Sequence, residues 1–280
     1  MPPTLMDSPF PTYAQSDSDG IANAIREDGF AIIPEVLAKS EVEELKSTID
    51  SIISTPGPGD GVGLGKGIDH FKCVFNRDPY WLQFLDKSGI IEAVEDLMGK
   101  DSHIIGMSAW RSPPGTGSFG QLHTDQLFVP MDEELLTTGK VELPVFISTL
   151  HFYLNDMDED LCPTWIVPGS HKSGRSPGGK GATASGVQGG EEMSWNGEEA
   201  RPVLVKAGDA MLFRSEVWHS GSVNRTEDRT RYLLQVHYSR RGIAQRFPPY
   251  LEFKYNQKVL DSASERQLRL LGKHNIGAYG

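Results

Sequence analysis

Three side chains in this sequence could together hold a transition-metal ion. His123 and Asp125 lie in the string Gln121-Leu122-His123-Thr124-Asp125, and His219 follows Trp218 far downstream. In an extended segment alternate side chains point the same way, so positions i and i+2 can grip one ion. A second histidine arriving from another strand would place two imidazoles and a carboxylate on one face of a non-haem Fe(II). The opposite face would stay open for a co-substrate and O2. The pair alone carries little weight, because 8 histidines and 19 aspartates in 280 residues make one such spacing close to an even bet.

Its surroundings add weight. Trp165-Ile166-Val167-Pro168-Gly169-Ser170-His171 reads as a strand ending in a Pro-Gly turn. Lys206-Ala207-Gly208-Asp209-Ala210-Met211-Leu212-Phe213 reads as a tight Gly-Asp turn feeding a strand toward His219. Asn224 and Arg231 follow, and Arg231 opens an apolar strand through Tyr238.

These residues need a scaffold, and the spacing of apolar runs describes one. From His103 onward short apolar strands are expected at 103–111, 127–129, 145–154, 163–167, 202–205, 209–213 and 230–239, separated by Gly, Pro and Asp clusters. That rhythm suits an antiparallel sandwich or barrel rather than alternating βαβ units. Before it, Ile21, Ala24 and Ile25 share a helical face, Gly29 breaks the helix, and Phe30 to Pro34 is a buried strand. Ser40 and Glu43 form a capping box for a helix through about Ile53 with Leu45, Ile49 and Ile52 as its stripe, and Pro79 to Met98 reads as one helix. A further helix is expected around Ser262–Leu271. Residues 1–16 read as a flexible leader, 17–280 as one domain, and 172–199 as a flexible insertion. The glycine-rich stretch Thr55–Gly67 follows a helix and has no Ser or Thr after Lys66, so it is no phosphate cradle. A mobile loop at a site mouth fits it better.

Composition narrows the function classes. A net charge of −11 argues against a nucleic-acid or anionic-membrane binder, and no apolar run approaches a membrane span. Cys73 and Cys162 are too few and too far apart for a disulfide framework or a zinc site. With no basic-then-apolar leader at Met1–Asp7, a cytoplasmic chain with reduced thiols is expected, and the Asn224-Arg225-Thr226 sequon carries no meaning.

Taken in order, Asp28-Gly29-Phe30-Ala31-Ile32-Ile33-Pro34, His123-x-Asp125, Pro168-Gly169-Ser170-His171, Gly208-Asp209 and His219-x4-Asn224-x6-Arg231 resemble the phytanoyl-CoA dioxygenase family of Fe(II)/2-oxoglutarate oxygenases over about residues 19–275. The resemblance implies a mainly β fold with flanking helices, the double-stranded β-helix (jelly roll, cupin-like). It also implies Fe(II) held by His123, Asp125 and His219, with 2-oxoglutarate and O2 as co-substrates. The distal carboxylate of 2-oxoglutarate needs a buried cation, and the planar fork of Arg231 suits it. Arg229 is the rival, though it belongs to a polar turn. Thr164 matches a position where related oxygenases place a hydroxyl near the co-substrate; Gln121 and Lys72 are further candidate contacts.

Asp125 implies oxidation, since related halogenases carry a small residue there. The expected reaction is a C–H oxidation of a small molecule, a specialised metabolite, with release of succinate and CO2. Trp110, Arg111, Phe128, Phe152, Tyr153 and Trp218 are candidate pocket-lining residues. Two other readings stand beside this one: a non-catalytic jelly-roll binding protein, and a serine hydrolase using Ser176 in Gly174-Arg175-Ser176-Pro177-Gly178. The sequence does not indicate an oligomeric state.

Overall fold

The computed structural model describes residues 9–61, 67–117, 121–179, 188–190 and 193–276, with side chains at 179 and 188–190 left out. Asp17 caps α1 (Ser18–Glu27) by accepting from the Gly20 N–H, and Gly29 at φ +88° turns the chain into β1 (Phe30–Ile33). The segment expected to be a loose leader is attached where it is described. Phe10 packs edge-on against Phe30 at 4.9 Å, and the Tyr13 N–H donates to the Ile32 carbonyl.

α2 spans Lys39–Ser51, and its cap is not the expected Ser40/Glu43 pair. The Glu41 carboxylate accepts from the Ala38 N–H at 2.8 Å. The Leu37 N–H is tied to the Gly208 carbonyl, which holds Ala38 extended and starts the helix there. After β2 (Asp69–Lys72), the helix expected over Pro79–Met98 divides in two. A 3-10 segment covers Pro79–Phe84 and α3 covers Ile90–Met98, because Gly89 between them sits at φ +81°.

The regular elements that follow are mostly strands: β3 (His103–Ser112), β4 (Leu122–Thr124), the short α4 (Glu133–Thr137), β5 (Ile147–Tyr153), β6 (Trp165–Ile166), β7 (Gln188–Gly190), β8 (Ser194–Trp195), β9 (Glu198–Glu199), β10 (Arg201–Pro202), β11 (Ala210–Arg214), β12 (His219–Ser220) and β13 (Arg231–Ser239). The tail is helical around Ser262–Leu271 as expected, in α6 (Glu265–Leu270), and α5 (Gln257–Ser262) precedes it. No strand forms at 127–129, where Phe128 and Val129 are exposed. The strand lies earlier, at β4, and its ladder ends where the Asp125 N–H turns to the Ser215 carbonyl. Within 172–199, residues 180–187 and 191–192 lie outside the described residues. The described parts include β7, which pairs with β4, and the β8–β9 hairpin.

Besides the β8–β9 hairpin, the described strands form two antiparallel sheets, β1-β11-β5-β13-β3-β2 and β10-β6-β12-β4-β7. This is the double-stranded β-helix. Period-two alternation sorts the larger sheet into two faces. Ala31, Ile33, Leu150, Phe152, Leu212, Leu234 and Val236 pack with the helices. Phe30, Ile32, Met211, Phe213 and Tyr153 point the other way and meet Ile166 of the smaller sheet.

Candidate metal centre

The smaller sheet brings the two histidines together directly, because His219 of β12 is the register partner of His123 of β4. Their rings lie 4.4 Å apart by centroid. Asp125 Oδ1 is 3.5 Å from His219 Nε2 and 3.9 Å from His123 Nε2, and one ligand atom from each of the three residues falls within 4.8 Å of the others. Each imidazole is oriented by its own strand. His123 Nδ1 donates to the Gln121 carbonyl at 3.1 Å and His219 Nδ1 to the Val217 carbonyl at 3.0 Å. A carbonyl only accepts, so the proton sits on Nδ1 and the Nε2 lone pair is left for an ion.

Electrostatics keep one imidazole neutral and bind the other to the carboxylate. Burial and the neighbouring His219 push His123 down to about 4, which leaves it neutral at pH 7. Burial opposes charge on both Asp125 and His219, yet their mutual attraction prevails. Asp125 is held well below the usual carboxylate range and His219 is raised. Two imidazole nitrogens and an ionised carboxylate form a donor set suited to one Fe(II).

Arg231, the first residue of β13, is buried, lines the same cavity, and its Nε has no hydrogen-bond partner among the described residues. A buried guanidinium with an unused N–H is a fitting counterpart for a carboxylate. Arg229 lies outside, half-exposed and paired with Asp158 at 2.7 Å. Thr164 is buried on the cavity wall and accepts from the Tyr153 hydroxyl at 3.2 Å, so its own O–H is free to donate inward. Gln121 and Lys72 also line the cavity, Gln121 beside His123 and Lys72 at the end of β2.

Opposite the candidate ligands, the inner face of the larger sheet is polar in a way the sequence reading missed. Register pairing makes cross-strand rows: Thr149 and His237; His151, Gln235, Ser108 and Lys72; Tyr153, Leu233, Trp110 and His70. The signal was polar residues at every second position of otherwise apolar strands, as in Thr149/His151 and Gln235/His237. Of the candidate aromatics, Trp110 lines the cavity and stacks on His70 at 3.9 Å. Phe152 faces the helices, Phe128 faces solvent, and Trp218 packs outside the smaller sheet. Arg111 is taken up by Asp50 and Asp69. The cavity measures about 1230 Å3, and Pro58, Gly59, Arg246 and Pro248 stand among its lining residues. Gly59 belongs to the glycine-rich stretch, of which 62–66 lie outside the described residues. It must be glycine: at φ +83° a Cβ would meet Pro248 at 2.8 Å.

The sequence profile of the family "Phytanoyl-CoA dioxygenase (PhyH)" matches residues 25–232, which include the candidate triad and Arg231. The chain belongs to the phytanoyl-CoA dioxygenase family. The His123/Asp125/His219 cluster offers a donor set that fits a non-haem iron, as such membership leads one to expect. Dioxygenase af480 of Aspergillus fumigatus is 23% identical over 229 residues, which span 77% of this chain and 64% of that relative's length. Among solved structures, the epimerase SnoN from nogalamycin biosynthesis superposes with a TM-score of 0.59 and 19% identity over 80% of both chains. HygX from Streptomyces hygroscopicus, with nickel and 2-oxoglutarate bound, gives 0.59 and 14% identity over 85% of this chain and 95% of its own. At these identities the likeness is one of fold.

The serine-hydrolase reading fails on local structure. Ser176 is buried and shares a 2.7 Å hydrogen bond with Thr124. It follows a 3-10 turn (Ser170–Ser173) rather than a strand, and another 3-10 turn (Pro177–Gly179) comes after it. No exposed nucleophile elbow exists there. No helix among the described residues is long and apolar enough to cross a membrane.

Proposed function

We propose that this chain oxidises a C–H bond of a small organic molecule, a specialised metabolite, with 2-oxoglutarate converted to succinate and CO2. The observation that carries the reading is the sharing of one cavity by the His123/Asp125/His219 cluster and a buried, partly unpaired Arg231. His123 and His219 offer Nε2, Asp125 offers an ionised oxygen, and together they hold Fe(II). When bound, the metal with 2-oxoglutarate and O2 supplies the oxidising power that no side chain has.

The chain's own residues bind and orient. Arg231 holds the distal carboxylate of 2-oxoglutarate through its fork, and Thr164, accepting from Tyr153, donates its hydroxyl proton to the same end. Gln121 and Lys72 stand where further contacts to the co-substrate are available. Phe213, whose ring packs on His219 at 4.8 Å, keeps water from the back of that imidazole. The cavity exceeds what 2-oxoglutarate needs, and the surplus is room for a substrate. Asp125 in place of a small residue supports oxidation over halogenation.

Succinate release under O2 with Fe(II) and 2-oxoglutarate tests the reading directly. His123→Ala or Asp125→Ala should lose iron binding and bring turnover down by at least about 1000-fold, since the metal carries the chemistry. Wild-type turnover in either variant would remove the cluster from the reaction.

A further inference from the structure

One polar row of the inner face has a fixed proton order. An indole N–H can only donate, and Trp110 Nε1 lies 2.5 Å from Gln235 Oε1, so that atom is the amide oxygen. Ser108 Oγ donates to the same oxygen at 3.3 Å. The other end of the Gln235 side chain is therefore its NH2, and it meets His151 Nε2 at 2.8 Å. An NH2 group also only donates, so His151 Nε2 must accept and carries no proton. The imidazole thus bears its proton on Nδ1.

That Nδ1–H is buried and has no partner among the described residues. Such a group is rare in a folded protein, and here it belongs to a residue that lines the ligand cavity. Arg231 Nε is a second unused buried donor on the same cavity wall. His151 and Tyr153 lie on the inner face of β5, Tyr153 reaching Thr164, while the His151 ring packs edge-on against Phe213 at 4.9 Å and Phe213 against His219. Apart from burial, the charges that act most on His151 are Arg231 and then His219, so the ring lies near both Arg231 and the candidate metal cluster. Two unsatisfied buried donors on residues of one cavity call for an acceptor-rich anion there.

We propose that His151 is a further co-substrate contact, its Nδ1–H donating to a carboxylate oxygen of 2-oxoglutarate, with Trp110 and Gln235 as the positioning residues that lock the tautomer. The inference rests on the 2-oxoglutarate reading above. It assigns to this chain a histidine donor in addition to the Arg231 fork.

Anaerobic calorimetry on the full-length Mn(II)-loaded protein, titrated with 2-oxoglutarate, provides the test. His151→Phe should weaken 2-oxoglutarate about 10- to 100-fold, the worth of a hydrogen bond to a charged group, with Mn(II) affinity unchanged. His151→Asn, whose amide nitrogen falls near the lost Nδ1, should recover most of that affinity. Wild-type 2-oxoglutarate affinity in His151→Phe would overturn the assignment, and so would His151→Asn binding as weakly as His151→Phe while melting like wild type. In 15N-histidine-labelled, Zn(II)-loaded wild type, which needs no variant to fold, the His151 proton should appear on Nδ1; a proton on Nε2 overturns the locked order. Failure of the wild type itself to bind Mn(II) or 2-oxoglutarate would instead overturn the underlying functional reading.

Discussion

What each candidate ligand can do is decided by the atom it does not offer to the metal. His123 and His219 spend Nδ1 on main-chain carbonyls two residues back, which fixes both the ring rotation and the tautomer. Arg231 is the converse case, a cation whose N–H groups are not all used within the chain. Its planar fork should matter beyond its charge. Arg231→Lys keeps the positive charge but loses the two-point contact, so the 2-oxoglutarate concentration for half-maximal rate should rise about tenfold or more, with the saturated rate largely kept. An unchanged requirement would place the co-substrate elsewhere. Arg231 was legible from the sequence because it directly precedes an apolar strand. His151 was not, since a histidine inside an apolar strand reads equally well as a satisfied core residue.

Among the elements, the turn between β11 and β12 carries more than its length indicates. Ser215 gives its carbonyl to the Asp125 N–H at 2.9 Å and its N–H to Ile147, and four residues on the chain reaches His219. The turn is held by a buried ion pair, Arg214 Nε to Glu216 Oε2 at 3.0 Å, with Arg214 Nη2 on the Leu143 carbonyl. Arg214→Met would strand the Glu216 carboxylate in the interior, and a loss of about 3–5 kcal/mol is expected in chemical denaturation. The double variant with Glu216→Leu should regain most of it, because a buried pair is often matched by apolar residues of similar volume. A double variant no more stable than the single would show that the pair itself, not its orphaned half, sets stability.

The short strings behind the family resemblance prove to be clamps of the same kind. Asp209 accepts from the N–H groups of Glu35 and Lys206, Ser170 Oγ accepts from the Trp218 N–H, and Asn224 donates to the Ser112 and Arg229 carbonyls. Asn224 is fully buried, so the sequon it begins offers no surface amide. Turn chemistry of this sort is local and could be read directly. Which distant strands the turns hold together could not.

Across the whole molecule, several histidines are kept neutral by the fold. Burial, followed by Lys72, brings His70 down to about 3; burial likewise lowers His103 and, with Arg214 nearby, His171. Each folded value lies below the ordinary one, so between the two the unfolded chain binds more protons. The stabilisation is complete above about pH 6.5 and drains as pH falls, for His70 down to about 3. His70 alone accounts for about 2 kcal/mol by pH 5. Glu216 and Asp28, raised by burial, and His219, raised beside Asp125, run the other way, but His123, His151, His237 and His274 are lowered as well. The melting temperature at pH 5 should therefore lie about 4–8 °C or more below that at pH 7. His70→Asn should flatten the dependence; equal melting at both pH values would mean these rings charge without cost.

By itself the sequence determined the period of the strands, the turns between them and the residue types at His123, Asp125, His219 and Arg231, because alternation, Gly/Asp turn chemistry and ligand chemistry are properties of short strings. It could not determine which strand meets which. A one-residue slip exchanges the two faces of a strand, and only the packing of both sheets against each other and against the helices sets the register. That register made His219 the partner of His123, moved the first of these strands from 127–129 to Leu122–Thr124, and turned Arg231 inward while Arg229 went to Asp158. It also aligned His151, Gln235, Ser108 and Lys72 into one row, a juxtaposition of residues from four strands that no local pattern contains.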